Sequence, residues 1–267
     1  LALLDLRFFS QALGESSSLT VIAPEGGVND TQARLTGESA GVGTNGAMPV
    51  LYLLHGLEGD DSVWTRRTLI ERYVGELGLL VVMPKVGRSF YCDEAYGQKY
   101  WTFLTTELPE MISRMFNVST AREDTFVAGL SMGGYGAFKW ALREPHRFAA
   151  AASLSGALNV AGSESFDRLR EQVPQVWGDK GPEGTPDDLI HLLASAHPAE
   201  LPALYQRCGS EDFLFADNQA FAAAAKAAGV TVDSDLAHPG DHNWDYWNEQ
   251  IQGVLGWLPI SSEISSR

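Results

Sequence analysis

Three kinds of side chain in this 267-residue sequence carry nucleophilic chemistry when brought together: a serine between glycines, a late histidine, and a carboxylate between them. The serine is Ser131, in the run VAGLSMGGYG at 127–136. With 27 glycines and 21 serines, a G-x-S-x-G arises by chance in such a chain with a probability of roughly one in five, so its surroundings must decide. They favour a nucleophile over a serine in a structural turn. Residues 124–129 are strand-forming, a helix rich in small residues follows at once, and Gly129 and Gly133 let strand and helix approach across a tight turn. A serine there exposes its hydroxyl at the sheet edge, beside helix N-terminal N–H groups suited to a developing oxyanion.

A serine hydroxyl is a weak nucleophile without a base, and in strand–turn–helix sites of this kind the chain order is Ser, acid, His. Four histidines lie downstream of His146: His191, His197, His238 and His242. The first two fall in a proline-rich region and fit a solvated helix face. His238 and His242 flank the loop HPGD after the last predicted strand. His242 is favoured, because NWDYWNEQIQGVLGWL follows it and puts Trp244, Trp247, Ile251 and Val254 on one helical face that would anchor the imidazole. His238 is the ordinary loop residue of the pair.

The acid should follow the penultimate strand, where QRCGSEDFLF offers a glycine turn and then Glu211 and Asp212. Asp212 suits a short, fixed hydrogen bond to an imidazole nitrogen, whereas Glu211 fits a solvated position; Asp217 and Asp241 are weaker alternatives. The second oxyanion donor should come from the loop after an early strand. LLHGLEGDD at 53–61 has that form, so the backbone N–H of Leu57 is expected to pair with that of Met132. Loss of one such donor raises a barrier by about 3–4 kcal/mol, so the loop matters as much as a side chain.

Positioning these groups requires a sheet. Apolar runs at 18–24, 49–56, 77–84, 124–129, 147–156, 203–209 and 230–237 predict strands, several apolar enough for burial on both faces. Leu104, Leu108, Met111 or Ile112, and Met115 predict an amphipathic helix over 101–116, kinked or started at Pro109, whose apolar stripe is core packing. An alanine-rich helix is expected at 216–228. Strand and helix alternate, which predicts a mostly parallel sheet covered on both faces. The whole chain reads as one α/β domain, with a flexible loop at about 25–48 and a cap-like insertion at about 157–202.

The formal charge is 19 − 34 = −15, which repels phosphate backbones and anionic lipid, so neither nucleic acid nor a membrane surface is an expected partner. Cys92 and Cys208 are too few for a disulfide framework and form no metal-ligand cluster, so no metal is expected and a reducing, cytoplasmic compartment is the simpler reading. The opening LALLDLRFF lacks a basic start and a small-residue cleavage site, and no stretch of 18 apolar residues occurs.

Taken together, LYLLHGLEGDDSVW, GLSMGGYGAFKWAL, CGSEDFLF and GDHNW resemble the esterase D / antigen 85 branch of the α/β-hydrolases, and within it the bacterial tributyrin esterases. The likeness spans nearly the whole chain. It implies an α/β-hydrolase core, catalysis by Ser131, Asp212 and His242, an oxyanion hole at Leu57 and Met132, a short-chain ester substrate and no cofactor. The branch also holds S-formylglutathione hydrolases, feruloyl esterases and acyltransferases. Formylglutathione enzymes commonly carry a histidine after the double glycine, where this chain has Tyr135. RSFYCDEAYGQKYW at 88–101 resembles the family's aromatic loop beside the pocket, which makes Tyr91 and Tyr96 candidates for lining it, with Trp177 a third from the insertion. A homo-oligomer is left open, and the rival from another class is a binding protein on a hydrolase fold.

Overall fold

The structure is a computed structural model that describes residues 1–24, 46–162 and 173–260. Eight strands form one sheet in the order β1-β2-β4-β3-β5-β6-β7-β8. Their bounds are β1 Ala2–Ser10, β2 Glu15–Ala23, β3 Val50–Leu54, β4 Leu80–Pro84, β5 Thr125–Leu130, β6 Ala150–Leu154, β7 Ala203–Arg207 and β8 Val232–Asp235. β1 pairs antiparallel with β2, and β2 antiparallel with β4. Every pairing from β4 through β8 is parallel. This is the α/β-hydrolase fold.

The central strands are apolar on both faces because each face has its own core. Along β3, Val50, Tyr52 and Leu54 pack into one cluster while Leu51 and Leu53 pack into the other. Burying each such large side chain contributes about 1.5–3 kcal/mol. The first face is covered by α1 (Leu108–Met115), α2 (Met132–Arg143), α3 (Leu189–Ala194) and α4 (Phe215–Ala227). The second is covered by α5 (Trp244–Trp257) and the short helices Val63–Arg67 and Ile70–Tyr73.

β1 is an element that the sequence reading overlooked. Its exposure alternates, with Leu4, Leu6 and Phe8 half-buried on the core and Leu3, Asp5, Arg7 and Phe9 exposed. That is the period-two pattern of an edge strand with one wet face. The helix expected over 101–116 runs from Tyr100 to Met115, but passes through a π-helical turn at Phe103–Glu107. Pro109 supplies the reason: it has no N–H for the carbonyl four residues back, and its ring crowds that carbonyl outward. The turn also frees Glu107, whose carboxylate accepts bonds from Ser10 Oγ (2.6 Å), the Gln11 N–H (2.8 Å) and the Ala12 N–H (3.0 Å), clasping the β1–β2 hairpin to the helix.

Most of the segment expected to be a flexible loop, residues 25–45, lies outside the described residues, as do 163–172 within the expected cap. Among the described residues no helix is long and apolar enough to cross a membrane.

Candidate active site

Ser131 sits where β5 ends and α2 begins. Its backbone is left-handed, with φ 55° and ψ −119°, which is strained for a residue with a Cβ. Two glycines make that geometry feasible. A Cβ on Gly129 would collide with the carbonyl of Gly133, and one on Gly133 with the carbonyls of Leu54 and His55. The turn is held by Ser131 N–H donating to Leu154 O (2.9 Å) and Ser131 O accepting from the Tyr135 and Ala157 N–H groups (both 3.1 Å). The hydroxyl therefore projects beyond the carboxyl ends of the strands, where ligands bind in open α/β sheets.

The loops after β7 and β8 bring the other two groups to it. His242 Nε2 lies 3.0 Å from Ser131 Oγ, and His242 Nδ1 lies 3.0 and 2.9 Å from the two oxygens of Asp212. Asp212 is 4% exposed, and its Oδ1 also accepts the Leu214 N–H at 2.8 Å, which fixes the carboxylate plane. The imidazole is clamped between the Phe213 ring, centroid 4.5 Å away, and the edge-on Trp247 ring at 4.8 Å. The two loops are tied to each other: Ser210 N–H donates to His238 O (3.0 Å) and Glu211 N–H to Gly240 O (2.9 Å). Gly209 is needed at that crossing, since a Cβ there would strike the Gly240 carbonyl.

The structure thus brings Ser131, Asp212 and His242 together and leaves the alternatives out. His238 faces Glu249 instead, with Nε2 3.4 Å from its carboxylate. Glu211 is exposed, and Asp241 spends Oδ1 on the His242 N–H at 2.7 Å.

The loop after β3 is more constrained than a strand ending. His55 is buried, with Nδ1 2.7 Å from Gly56 O and Nε2 3.1 Å from the Val86 N–H. Since a backbone N–H must donate, Nε2 accepts and Nδ1–H donates, so the ring is the neutral Nδ1–H tautomer. Burial, above all, pushes the His55 pKa down and keeps it neutral. Anchoring Gly56 O fixes the trans peptide plane that carries the Leu57 N–H on its opposite side. Leu57 and Met132 both line the cavity at Ser131. The sequence reading placed His55 in the expected donor loop LLHGLEGDD but gave its side chain no role; the signal that would have found one is its place directly before Gly56 and Leu57.

That cavity has a volume of about 580 Å³ and is lined by Gly56 to Gly59, Ser131, His242, Phe90, Phe213, Trp244 and Trp247, with Arg67 and Glu58 as its charged side chains. None of the three aromatics expected to line it does so. Tyr91 is fully buried and donates its hydroxyl to His55 O at 2.8 Å, so it braces the donor loop from behind. Tyr96 is 70% exposed, away from the cavity. Trp177 packs behind Phe90, ring centroids 5.0 Å apart, and donates Nε1–H to Asp187 at 3.1 Å. Phe90 takes the place expected of Tyr91. Both residues have left-handed backbones (φ 51° and 54°), which breaks any regular alternation of side chains. Of the described residues in the expected cap, only Ala157 reaches the cavity; α3 packs instead against α2 and α4.

Behind Phe90 lies a fully buried ammonium. Lys139 Nζ donates to Asp187 Oδ1 (3.0 Å), Phe90 O (3.3 Å) and Cys92 Sγ (3.0 Å), and sits over the Trp101 ring. Burial pushes the Cys92 thiol up to about 12 against the pull of Lys139, so it stays protonated. Burial alone would raise the Asp187 carboxyl, but Lys139 and Arg143 outweigh it and hold it below its ordinary value. A depressed folded pKa stabilises the fold at neutral pH, and that contribution is lost as the pH falls through the folded value. Lys139→Met is expected to lower stability by about 3 kcal/mol, because it leaves a mostly buried carboxylate with Arg143 as its remaining cation and the Trp177 N–H as a neutral donor. Urea unfolding of both proteins measures it; an unchanged midpoint would show the cluster to be energetically idle.

Fold and hydrogen-bonded chain define a serine hydrolase. Residues 40–258 match the family model described as "Putative esterase", and the chain belongs to this Esterase family. It is 29% identical to an acetyl esterase of Caldicellulosiruptor saccharolyticus over 98% of this chain and 100% of that one. It is 31% identical to the diacylglycerol acyltransferase/mycolyltransferase Ag85B of Mycobacterium leprae, over 79% and 75% of the two chains. Among solved structures, fluorophosphonate-binding serine hydrolase FphF of Staphylococcus aureus superposes with a TM-score of 0.82 at 32% identity, covering 97% of this chain and 99% of that one. The S-formylglutathione hydrolase FrmB of the same organism gives 0.77 at 31%, covering 97% and 98%. The esterase D / antigen 85 resemblance is thereby borne out.

Proposed function

We propose that this chain is a carboxylesterase that hydrolyses short-chain acyl esters through an acyl-enzyme on Ser131. The observation that carries the reading is the Ser131–His242–Asp212 hydrogen-bonded chain at the wall of a cavity of about 580 Å³. In the first half, His242 Nε2 takes the Ser131 proton as Oγ attacks the ester carbonyl. Asp212 holds Nδ1–H in place and stabilises the imidazolium, while the Leu57 and Met132 N–H groups receive the oxyanion. The intermediate collapses, the C–O bond to the alcohol breaks, and the imidazolium protonates the departing oxygen. Water then repeats the sequence on the acyl-enzyme and releases the acid. No step calls for a cofactor. His242 must be neutral to accept the Ser131 proton.

A cavity of this size, walled by Phe90, Phe213 and Trp244, supports a small acyl group, as does the full-length likeness to an acetyl esterase. The test is initial rates on p-nitrophenyl esters from acetate to decanoate, with tributyrin as the triglyceride probe. Rates are expected to peak at two to four carbons, about 10-fold or more above decanoate; a peak at eight or ten carbons would overturn the short-chain assignment. The acyltransferase and S-formylglutathione hydrolase among the relatives define the competing outcomes. An acyl-enzyme accepts any nucleophile that reaches it. Product analysis with added alcohols separates hydrolysis from transfer, and S-formylglutathione turnover exceeding that of p-nitrophenyl acetate would reassign the substrate to a thioester. A purely binding role would leave the serine, base, acid and donor loop without use.

A further inference from the structure

The outer side of β1 ends the sheet at the strand farthest from β8. Nine residues long, it presents backbone donors and acceptors that β2 does not use, and an apolar edge of this length invites another strand. Its sequence is ALLDLRFFS, with Leu3 48% and Phe9 57% exposed, large apolar side chains on the wet face. Asp5 and Arg7 lie between them on that face, and Arg7 forms no ion pair among the described residues.

The order of these residues is self-complementary. When β1 is laid antiparallel on a second β1 with Leu6 opposite Leu6, all nine positions pair, Ala2 with Ser10 at the ends. On the wet face Asp5 falls opposite Arg7 twice and Leu3 opposite Phe9 twice. On the core face, half-buried Leu4 meets Phe8 and Leu6 meets its own copy. Opposite charges and apolar pairs directly across an antiparallel pair are the contacts that stabilise a sheet. A register shifted by two residues sets Asp5 opposite Phe9 or Arg7 opposite itself. The isologous arrangement thus satisfies both charges and covers both aromatic side chains with one symmetry operation.

We propose that the chain forms a two-fold dimer through β1, joining two eight-stranded sheets into one continuous sheet across the Leu6–Leu6 axis. The occupant is a second copy, because the charge order along the edge matches its own reversal. The cavity at Ser131 is lined by no residue of β1, so the dimer does not complete the site.

The test is sedimentation velocity on the full chain over the micromolar range, with esterase rate and melting midpoint recorded for each variant. Wild type is expected at twice the chain mass. Arg7→Asp places carboxylates opposite one another and is expected to weaken association at least 10-fold; Asp5→Arg does the same with guanidiniums. The double exchange Asp5→Arg, Arg7→Asp restores the pairing in reverse and is expected to restore the dimer. A monomeric wild type, an Arg7→Asp variant that stays dimeric, or a double exchange that stays monomeric overturns the proposal. Esterase rates should be equal in all four, so failure of the catalytic reading and failure of the dimer would appear in different measurements.

Discussion

Ser131→Ala is expected to lower kcat on short-chain esters by about 10⁶-fold, the scale set by serine triads in other hydrolases. No neighbour can take over: His242 Nε2 points at Ser131 Oγ from 3.0 Å, and both oxygens of Asp212 already address Nδ1. The residual rate would come from the donor loop and cavity acting on water. Alanine keeps the Cβ and therefore the strain of φ 55°, so the melting midpoint should barely move. Glycine at 131 should be equally inactive yet more stable, by about 1–3 kcal/mol less whatever its extra chain entropy costs, because the left-handed backbone no longer carries a penalty. Initial rates with p-nitrophenyl acetate, fluorophosphonate labelling and thermal melts on the three proteins check both halves. A Ser131→Ala protein that kept its rate would end the acyl-enzyme proposal.

The second large effect is Asp212→Asn, expected to cost about 10⁴ in kcat with little change in folding, by analogy with the same exchange in other triads. Asparagine retains the shape and can still accept the Leu214 N–H through its oxygen. Its amide nitrogen would then face Nδ1 as a donor, which favours the tautomer with the proton on Nε2, the atom that must accept from Ser131. The carboxylate that stabilises the imidazolium is also gone. Pre-steady-state rates separate this from a positional effect: acylation should slow by the full factor while KM changes less than tenfold. A loss of only a few-fold would mean that Phe213 and Trp247 orient the imidazole without help from Asp212.

Much of this was legible in the sequence, and the limits have physical causes. Strands buried on both faces announce themselves as apolar runs, as in VLYLL of β3 and LVVMP of β4. The serine elbow was legible because sterics leave so few residues that fit beside Ser131. Chain order and turn chemistry picked out Asp212 and His242, which the structure places in hydrogen-bond reach of each other and, through His242, of Ser131. β1 was missed because its alternation was weighed only as an export signal, although Leu4, Leu6 and Phe8 mark an edge strand. The pocket walls were misassigned because consecutive left-handed residues at Phe90 and Tyr91 rotate the loop in a way that no periodicity records. Phe213 and Trp244 stand beside the acid and just beyond the base, so sequence adjacency to the triad would have been the better guide.

Ser131 stands 111 residues before His242, and Asp212 stands 30 before it. A chain emerging from the ribosome carries Ser131 well before His242, the imidazole proposed to activate it. Acid and base reach the serine only once β7 and β8 extend the sheet and α5 docks Trp247 beneath His242. On the proposed mechanism, the nascent polypeptide is therefore silent toward esters until α5 is in place. On that mechanism, esterase activity reports that β7, β8 and α5 have joined the rest of the fold.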